Sequence, residues 1–248
     1  MNGRAPLVTL MIVAGAALLA CTACTGSGAH GADSEVLPPS EVADFNLLYG
    51  QNCAGCHGEA GKGGAAIALA SPVFLAIADD SVIRRTAANG VPGTPMPAFA
   101  RTAGGMLTDK QIDALVRGIR SWEKPDALRD ATLPPYASQI PGDSQSGADA
   151  YRTYCSSCHG VGGRGGSKGS SIVDGSYLAL VSDQQLRTIV IAGRPELGAP
   201  DWRGDVEGRP MSAQEISDVV AWLSGQRLTF PGQPYPIAAT NQTNGGSR

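Results

Sequence analysis

The sequence predicts an all-α chain in which one compact helical domain is written twice. Two observations carry this. Shifted by 102 residues, CAGCHGEAGKGG (53–64) falls on CSSCHGVGGRGG (155–166); by 103, FLAIADDSVI (74–83) falls on YLALVSDQQL (177–186); by 104, LTDKQIDALV (107–116) falls on MSAQEISDVV (211–220). So small a drift over a whole unit marks a tandem duplication, and two copies are too few for a solenoid. Apolar residues also recur at helical spacing, and no stretch alternates convincingly as a half-buried strand would.

The elements of each unit follow in order. A first helix is expected to start after Ser40, with Pro38 and Pro39 at its boundary and Ser40 as N-cap. It would carry Val42, Phe45 and Tyr49 at helical spacing and lead into the C-x-x-C-H. A glycine-rich loop follows each histidine. A middle helix carries Val82, Ile83 and Ala87, or Leu186, Ile189 and Val190 in the second unit. Next comes an irregular loop, GVPGTPMPAF (90–99) or GRPELGAPDW (193–202). The last helix starts at Thr108 or Ser212, each an N-cap candidate preceded by an apolar residue, Leu107 or Met211, placed as a hydrophobic staple.

These units set the domain plan: a first domain at 41–124, a Pro-rich linker at 125–145, a second domain at 146–227 and a flexible tail at 228–248. Residues 1–20 are a targeting segment, with Arg4 before the apolar run LVTLMIVAGAALLA (7–20), too short to span a bilayer comfortably. LLAC (18–21) resembles a bacterial lipoprotein signal, which implies lipid on Cys21, with Cys24 as the second choice and an ordinary cleaved signal as the alternative. Residues 21–40 would then be a tether between membrane and first domain, on the extracytoplasmic side.

Composition narrows the function. The net charge of -3 and pI near 5.6 give no sign of nucleic-acid binding. Aromatics are only 5% and glycines number 33, which suits cores partly filled by a large flat group that the chain does not supply. The last four cysteines form two C-x-x-C-H motifs, Cys53, Cys56 with His57 and Cys155, Cys158 with His159. That pattern reads as covalent attachment of haem c. The cysteines, one helical turn apart, would bond the two vinyl groups, and the histidine would be the proximal iron ligand. A redox dithiol wants a βαβ context, zinc wants four ligands where each cluster has three, and a disulfide leaves the histidine unexplained.

With these residues in view, the chain resembles the class I cytochrome c family, present twice and covering nearly all of 41–227. The resemblance rests on the helix before CAGCH or CSSCH, the GTPMPAF loop, and the closing LTDKQIDALVRGIRSW or MSAQEISDVVAWL helix. It implies two covalently bound haem c groups. It also implies that Met96, held between Pro95 and Pro97 and 39 residues after His57, is the second axial ligand of the first iron. Met106, nearby, is expected to be local packing. In the family the first helix crosses the last at a glycine facing an aromatic residue. Gly147 and Trp222 fit this, while Phe45 and Gly118 would make the same contact with the bulk exchanged, as cores tolerate when volume is conserved. Lys62 and Arg164 could meet haem propionates or be solvated charges.

The second unit has Ala199 at the place of Met96, and alanine cannot ligate iron. Met211 is the provisional ligand there. An open site, Lys168 or a residue of a partner are the other choices, and His30 in the tether is expected to do nothing. The leading expectation is an electron carrier, passing single electrons to redox proteins or respiratory complex subunits at a membrane. No separate catalytic apparatus stands out. The alternatives are a dihaem oxidoreductase with a reactive second haem, acting on a small substrate, and, more weakly, a ligand-sensing haem module.

Overall fold

The protein is described by a computed structural model covering residues 37–204 and 206–228. The targeting segment, Cys21, Cys24, His30 and the tail beyond 228 lie outside the described residues. The first domain contains α1 (Phe45–Asn52), α2 (Ala54–His57), α3 (Pro72–Ile77), α4 (Asp80–Asn89) and α5 (Asp109–Arg120). The second contains α6 (Ser144–Tyr154), α7 (Ser156–His159), α8 (Gly175–Leu180), α9 (Asp183–Ala192) and α10 (Ala213–Ser224). Among the described residues there is no strand, only isolated bridges joining Ala100 to Leu107 and Arg194 to Ala199.

The first helix begins later than expected. Asp44, not Ser40, is its N-cap, accepting the Leu47 N–H at 2.8 Å. The segment before it is held from across the domain: Gln111, 3% exposed, donates from Nε2 to the carbonyls of Pro39 and Val42, both at 2.9 Å. A chain whose carbonyls are taken this way cannot offer them to a helix, so Val42 stays outside α1.

The last helices start as expected. Thr108 and Ser212 each close a capping box, with Gln111 and Glu215 as the reciprocal partners. The staple residues Leu107 and Met211 are both buried. The short helices α3 and α8, capped by Ser71 and Asp174, were not anticipated as separate elements, because six residues are too few to show a helical period.

The exchanged crossing is present. A Cβ added to Gly118 would lie 1.9 Å from the Phe45 ring, and one added to Gly147 would lie 2.0 Å from the Asp218 carbonyl oxygen and 2.8 Å from Trp222 Cβ. Trp122, which the repeat does not align with Trp222, completes the first version. It meets Phe45 and Tyr49 edge-on at centroid distances of 5.3 and 5.1 Å, whereas Tyr151 and Trp222 stack at 4.4 Å. Both indoles reach the glycine loop after the histidine, Trp122 against Gly61 and Trp222 against Gly163.

One arginine locks the middle of each domain. Arg120 binds the carbonyls of Leu75 and Ala78 and the carboxylate of Asp80. Arg227 binds those of Leu178, Val181 and Asp183, the equivalent three residues. Arg120 is the last residue of α5, whereas Arg227 lies beyond the end of α10, so the repeat offsets do not reveal the match.

The segment between the domains is packed, and α6 starts at Ser144, inside the expected linker. The buried Arg187 of α9 donates to the carbonyls of Pro135 and Tyr136 and to Ser217 Oγ, and Gln184 donates to Tyr136. Helix α9 also lies against α3 of the first domain, and the described residues from Pro39 to Leu228 belong to one compact body.

Candidate haem sites

Each C-x-x-C-H forms a single helical turn. His57 N–H donates to Cys53 O at 3.0 Å and His159 N–H to Cys155 O at 2.9 Å, so the two cysteines of each pair sit one turn apart on one side. Neither pair is closed into a disulfide. The Cys53 thiol is pushed up to about 11, first by burial and then by neighbouring Cys56. That is the reverse of the lowered value a reactive redox dithiol needs. Among the described residues no three His, Cys, Asp or Glu side chains are placed to hold a metal ion directly, so zinc has no tetrahedral set here.

The histidines are oriented alike. Nδ1 of His57 lies 2.8 Å from the Ile67 carbonyl oxygen, and Nδ1 of His159 lies 2.8 Å from that of Ser170. A carbonyl can only accept, so Nδ1 carries the proton and Nε2 keeps its lone pair for a metal. Burial holds His57 below its ordinary imidazole value, against the pull of the Ile67 carbonyl, and the charge of Arg194 adds to the lowering. Burial thus favours the uncharged ring, the form of imidazole that can bind a metal. No sequence pattern marks Ile67 or Ser170, because their contribution is a backbone oxygen.

The glycine loops fold back tightly on the C-x-x-C-H turns. Gly58 and Gly160 have φ of 82° and 72°, and a Cβ there would come within 1.9 Å of the Lys62 carbonyl oxygen or 2.1 Å of the Gly165 one. Tyr49 and Tyr151 donate their hydroxyls to the carbonyls of Gly58 and Gly160, tying the first helix to this loop. Lys62 and Arg164 are exposed.

The late loops share one backbone frame. Val91 N–H donates to Met96 O at 3.0 Å, and Arg194 N–H to Ala199 O at 2.9 Å. Leu107 N–H donates to Phe99 O and Met211 N–H to Trp202 O, both at 2.8 Å. Ala199 therefore stands where Met96 stands, and Met211 stands where Leu107 stands. Thr94 stiffens the first loop: Oγ1 donates to Val91 O at 2.9 Å and accepts the Met96 N–H at 3.2 Å. Met106 is not local packing as expected. It is 84% exposed, and its carbonyl accepts from Arg101 Nε at 3.2 Å.

Each domain thus brings together two cysteines one turn apart and a histidine whose Nδ1 is taken by a backbone carbonyl, and the first adds a methionine in a pinned loop. These residues fit a covalently attached haem. A family model for "Cytochrome C oxidase, cbb3-type, subunit III" matches the chain twice, at residues 40–117 and 142–223. The chain belongs to this family of c-type cytochromes.

Curated relatives of this cytochrome are bc1 complex cytochrome c subunits of mycobacteria. Those of Mycobacterium bovis and Mycobacterium tuberculosis are 24% identical over 181 residues, 71% of this chain and 60% of theirs. The Mycobacterium leprae protein is 25% identical over 220 residues, 83% of this chain and 72% of its own length. The cytochrome thus spans about 60% of the length of the first two. Among solved structures, a chain of the Kuenenia stuttgartiensis reducing HAO-like protein complex aligns with a TM-score of 0.44 at 20% identity, over 78% of this cytochrome and 100% of that chain. No helix among the described residues is long and apolar enough to cross a membrane.

Proposed function

We propose that this cytochrome carries two haem c groups and relays single electrons in a respiratory chain on the extracytoplasmic face of a membrane. Cys53 and Cys56 would hold the first haem covalently, and His57 and Met96 would bind its iron. Cys155 and Cys158 would hold the second, and His159 would bind its iron. The observation that carries the reading is the repeated orientation of His57 and His159, each with Nδ1 on a backbone carbonyl at the end of a C-x-x-C turn.

When bound, haem supplies reversible one-electron exchange at its iron, and the protein sets potential and orientation. The chain's own groups do the rest. Ile67 and Ser170 fix the imidazole tautomer. Thr94 and the flanking prolines hold Met96. Lipid on Cys21, or on Cys24, would keep the cytochrome at the membrane beside its partners. The mycobacterial relatives support a respiratory complex as the partner.

The test is haem stoichiometry on the full chain, by alkaline pyridine spectra and intact mass. Two covalent haems are expected, and Cys53→Ser/Cys56→Ser or Cys155→Ser/Cys158→Ser should each leave one. No covalent haem, or one haem untouched by either double substitution, would overturn the reading. Met96→Leu should remove the sulfur-to-iron charge-transfer band of the oxidised protein. The alternative of a dihaem oxidoreductase is favoured by one observation, Ala199 in the frame of Met96.

A further inference from the structure

We infer that the second haem has an open sixth position at Ala199 and takes up a small neutral ligand of the carbon monoxide type when its iron is ferrous. The inference rests on the proposed haem at Cys155 and Cys158.

The frame carries the argument. The paired hydrogen bonds of Val91 with Met96 and Arg194 with Ala199 put residue 199 at the ligand position, and Pro97 and Pro200 follow in register. Gly90 and Gly193 confirm that register: a Cβ on Gly90 would strike the backbone of Pro97 and Ala98, and one on Gly193 that of Pro200 and Asp201. The loop has therefore not slipped to present another residue. It keeps its closure, turns through Pro195–Leu197, and offers a methyl group where the first copy offers a thioether.

The other donors are accounted for. In residues 146–228 the only methionine is Met211 and the only histidine is His159. Met211 is 7% exposed, its N–H is spent on Trp202 O, and its place belongs to Leu107, a core residue in a domain that has its own ligand at Met96. Lys168 is exposed and precedes Gly169, whose Cβ would lie 3.0 Å from His159 Nδ1. That segment is on the proximal side of the haem. Tyr177 replaces Phe74, but burial raises its phenol above the ordinary value, with only partial relief from Arg194. A protonated phenol is a poor iron ligand. Replacing methionine by alanine removes three heavy atoms from the ligand position, which leaves room for a diatomic molecule.

The experiment uses the reduced full-length holoprotein and carbon monoxide, read by visible absorption. Half of the haem is expected to shift, and haem in Cys155→Ser/Cys158→Ser protein should not respond. Ala199→Met should abolish the shift and add a second sulfur-to-iron band in the oxidised protein. Met211→Leu, which installs the residue of the first copy, should leave the wild-type response intact. No carbon monoxide binding by wild-type protein that contains two haems overturns the inference. So does loss of a sulfur-to-iron band in Met211→Leu. A protein with fewer than two haems would instead overturn the function proposed above, so the two failures are distinguishable.

Discussion

Arg194 of the second domain donates from Nη2 to the carbonyl oxygen of Gly64 in the first domain, at 2.7 Å. Its Nε holds Glu196 at 2.6 Å, and its backbone is bridged to Ala199. Gly64 in turn is pressed on the Cys56 carbonyl, which a Cβ at 64 would approach to 2.1 Å. One side chain thus joins the late loop of one domain to the C-x-x-C-H turn of the other.

Removing that side chain should change the first haem without unloading it. A positive charge near an iron favours the reduced form, so Arg194→Leu should lower the potential of the first haem. The Glu196 carboxylate offsets part of the charge, and a Coulomb term of about 1 kcal/mol corresponds to a shift on the order of tens of millivolts. Transfer between the haems should also slow. Potentiometric titration and photo-initiated reduction check both, and an unchanged potential would mean that the contact only packs.

The helix crossing of the first domain should reject even one carbon atom. Gly118→Ala places a Cβ inside the Phe45 ring and should destabilise the holoprotein by roughly 1–3 kcal/mol, the usual cost of overpacking. Trimming the opposing ring in Gly118→Ala/Phe45→Leu should restore part of that loss. Chemical unfolding of the two single variants and the double one measures the coupling. Additive losses would show that the ring and the glycine do not oppose each other.

The capping boxes that start α5 and α10 should respond differently to acid. Burial pushes the Glu215 carboxyl up, but hydrogen bonds from the Ser212 N–H and hydroxyl and from Tyr154, with the charge of Arg209, hold it below its ordinary value on balance. A carboxyl lowered in the folded state contributes stability above its unfolded value and loses it as pH falls through the folded one. Gln111, its counterpart in the first domain, does not titrate. Glu215→Gln should therefore flatten the fall of thermal stability below the ordinary glutamate range, while costing about 1 kcal/mol near neutrality. Unfolding followed from pH 7 to pH 3 checks the slope, and parallel curves for wild type and variant would exclude this role.

Much of the site was legible because it is written locally. The C-x-x-C-H turns, the proline-flanked loop with Met96, and the caps at Thr108 and Ser212 all depend on residues a few places apart. The Phe45–Gly118 exchange was readable for a different reason. The second copy supplied Gly147 and Trp222 as an internal comparison, so a loss of bulk on one helix could be matched to a gain on the other.

The sequence by itself determined the two C-x-x-C-H motifs and the matching spacing around them, the all-α class and the inequality of Met96 and Ala199, because each is a matter of residue identity and short-range spacing. Only the tertiary structure decided which carbonyls orient His57 and His159, and that Asp44 displaces Ser40 as the cap. It also placed Met211 in Leu107's frame by a hydrogen bond, let Arg227 do the work of Arg120 from another place, and brought Arg194 to Gly64. Those choices are made by hydrogen bonds and contacts between groups far apart in the chain. Their energies depend on where packing brings a backbone oxygen or a ring, which no local pattern records.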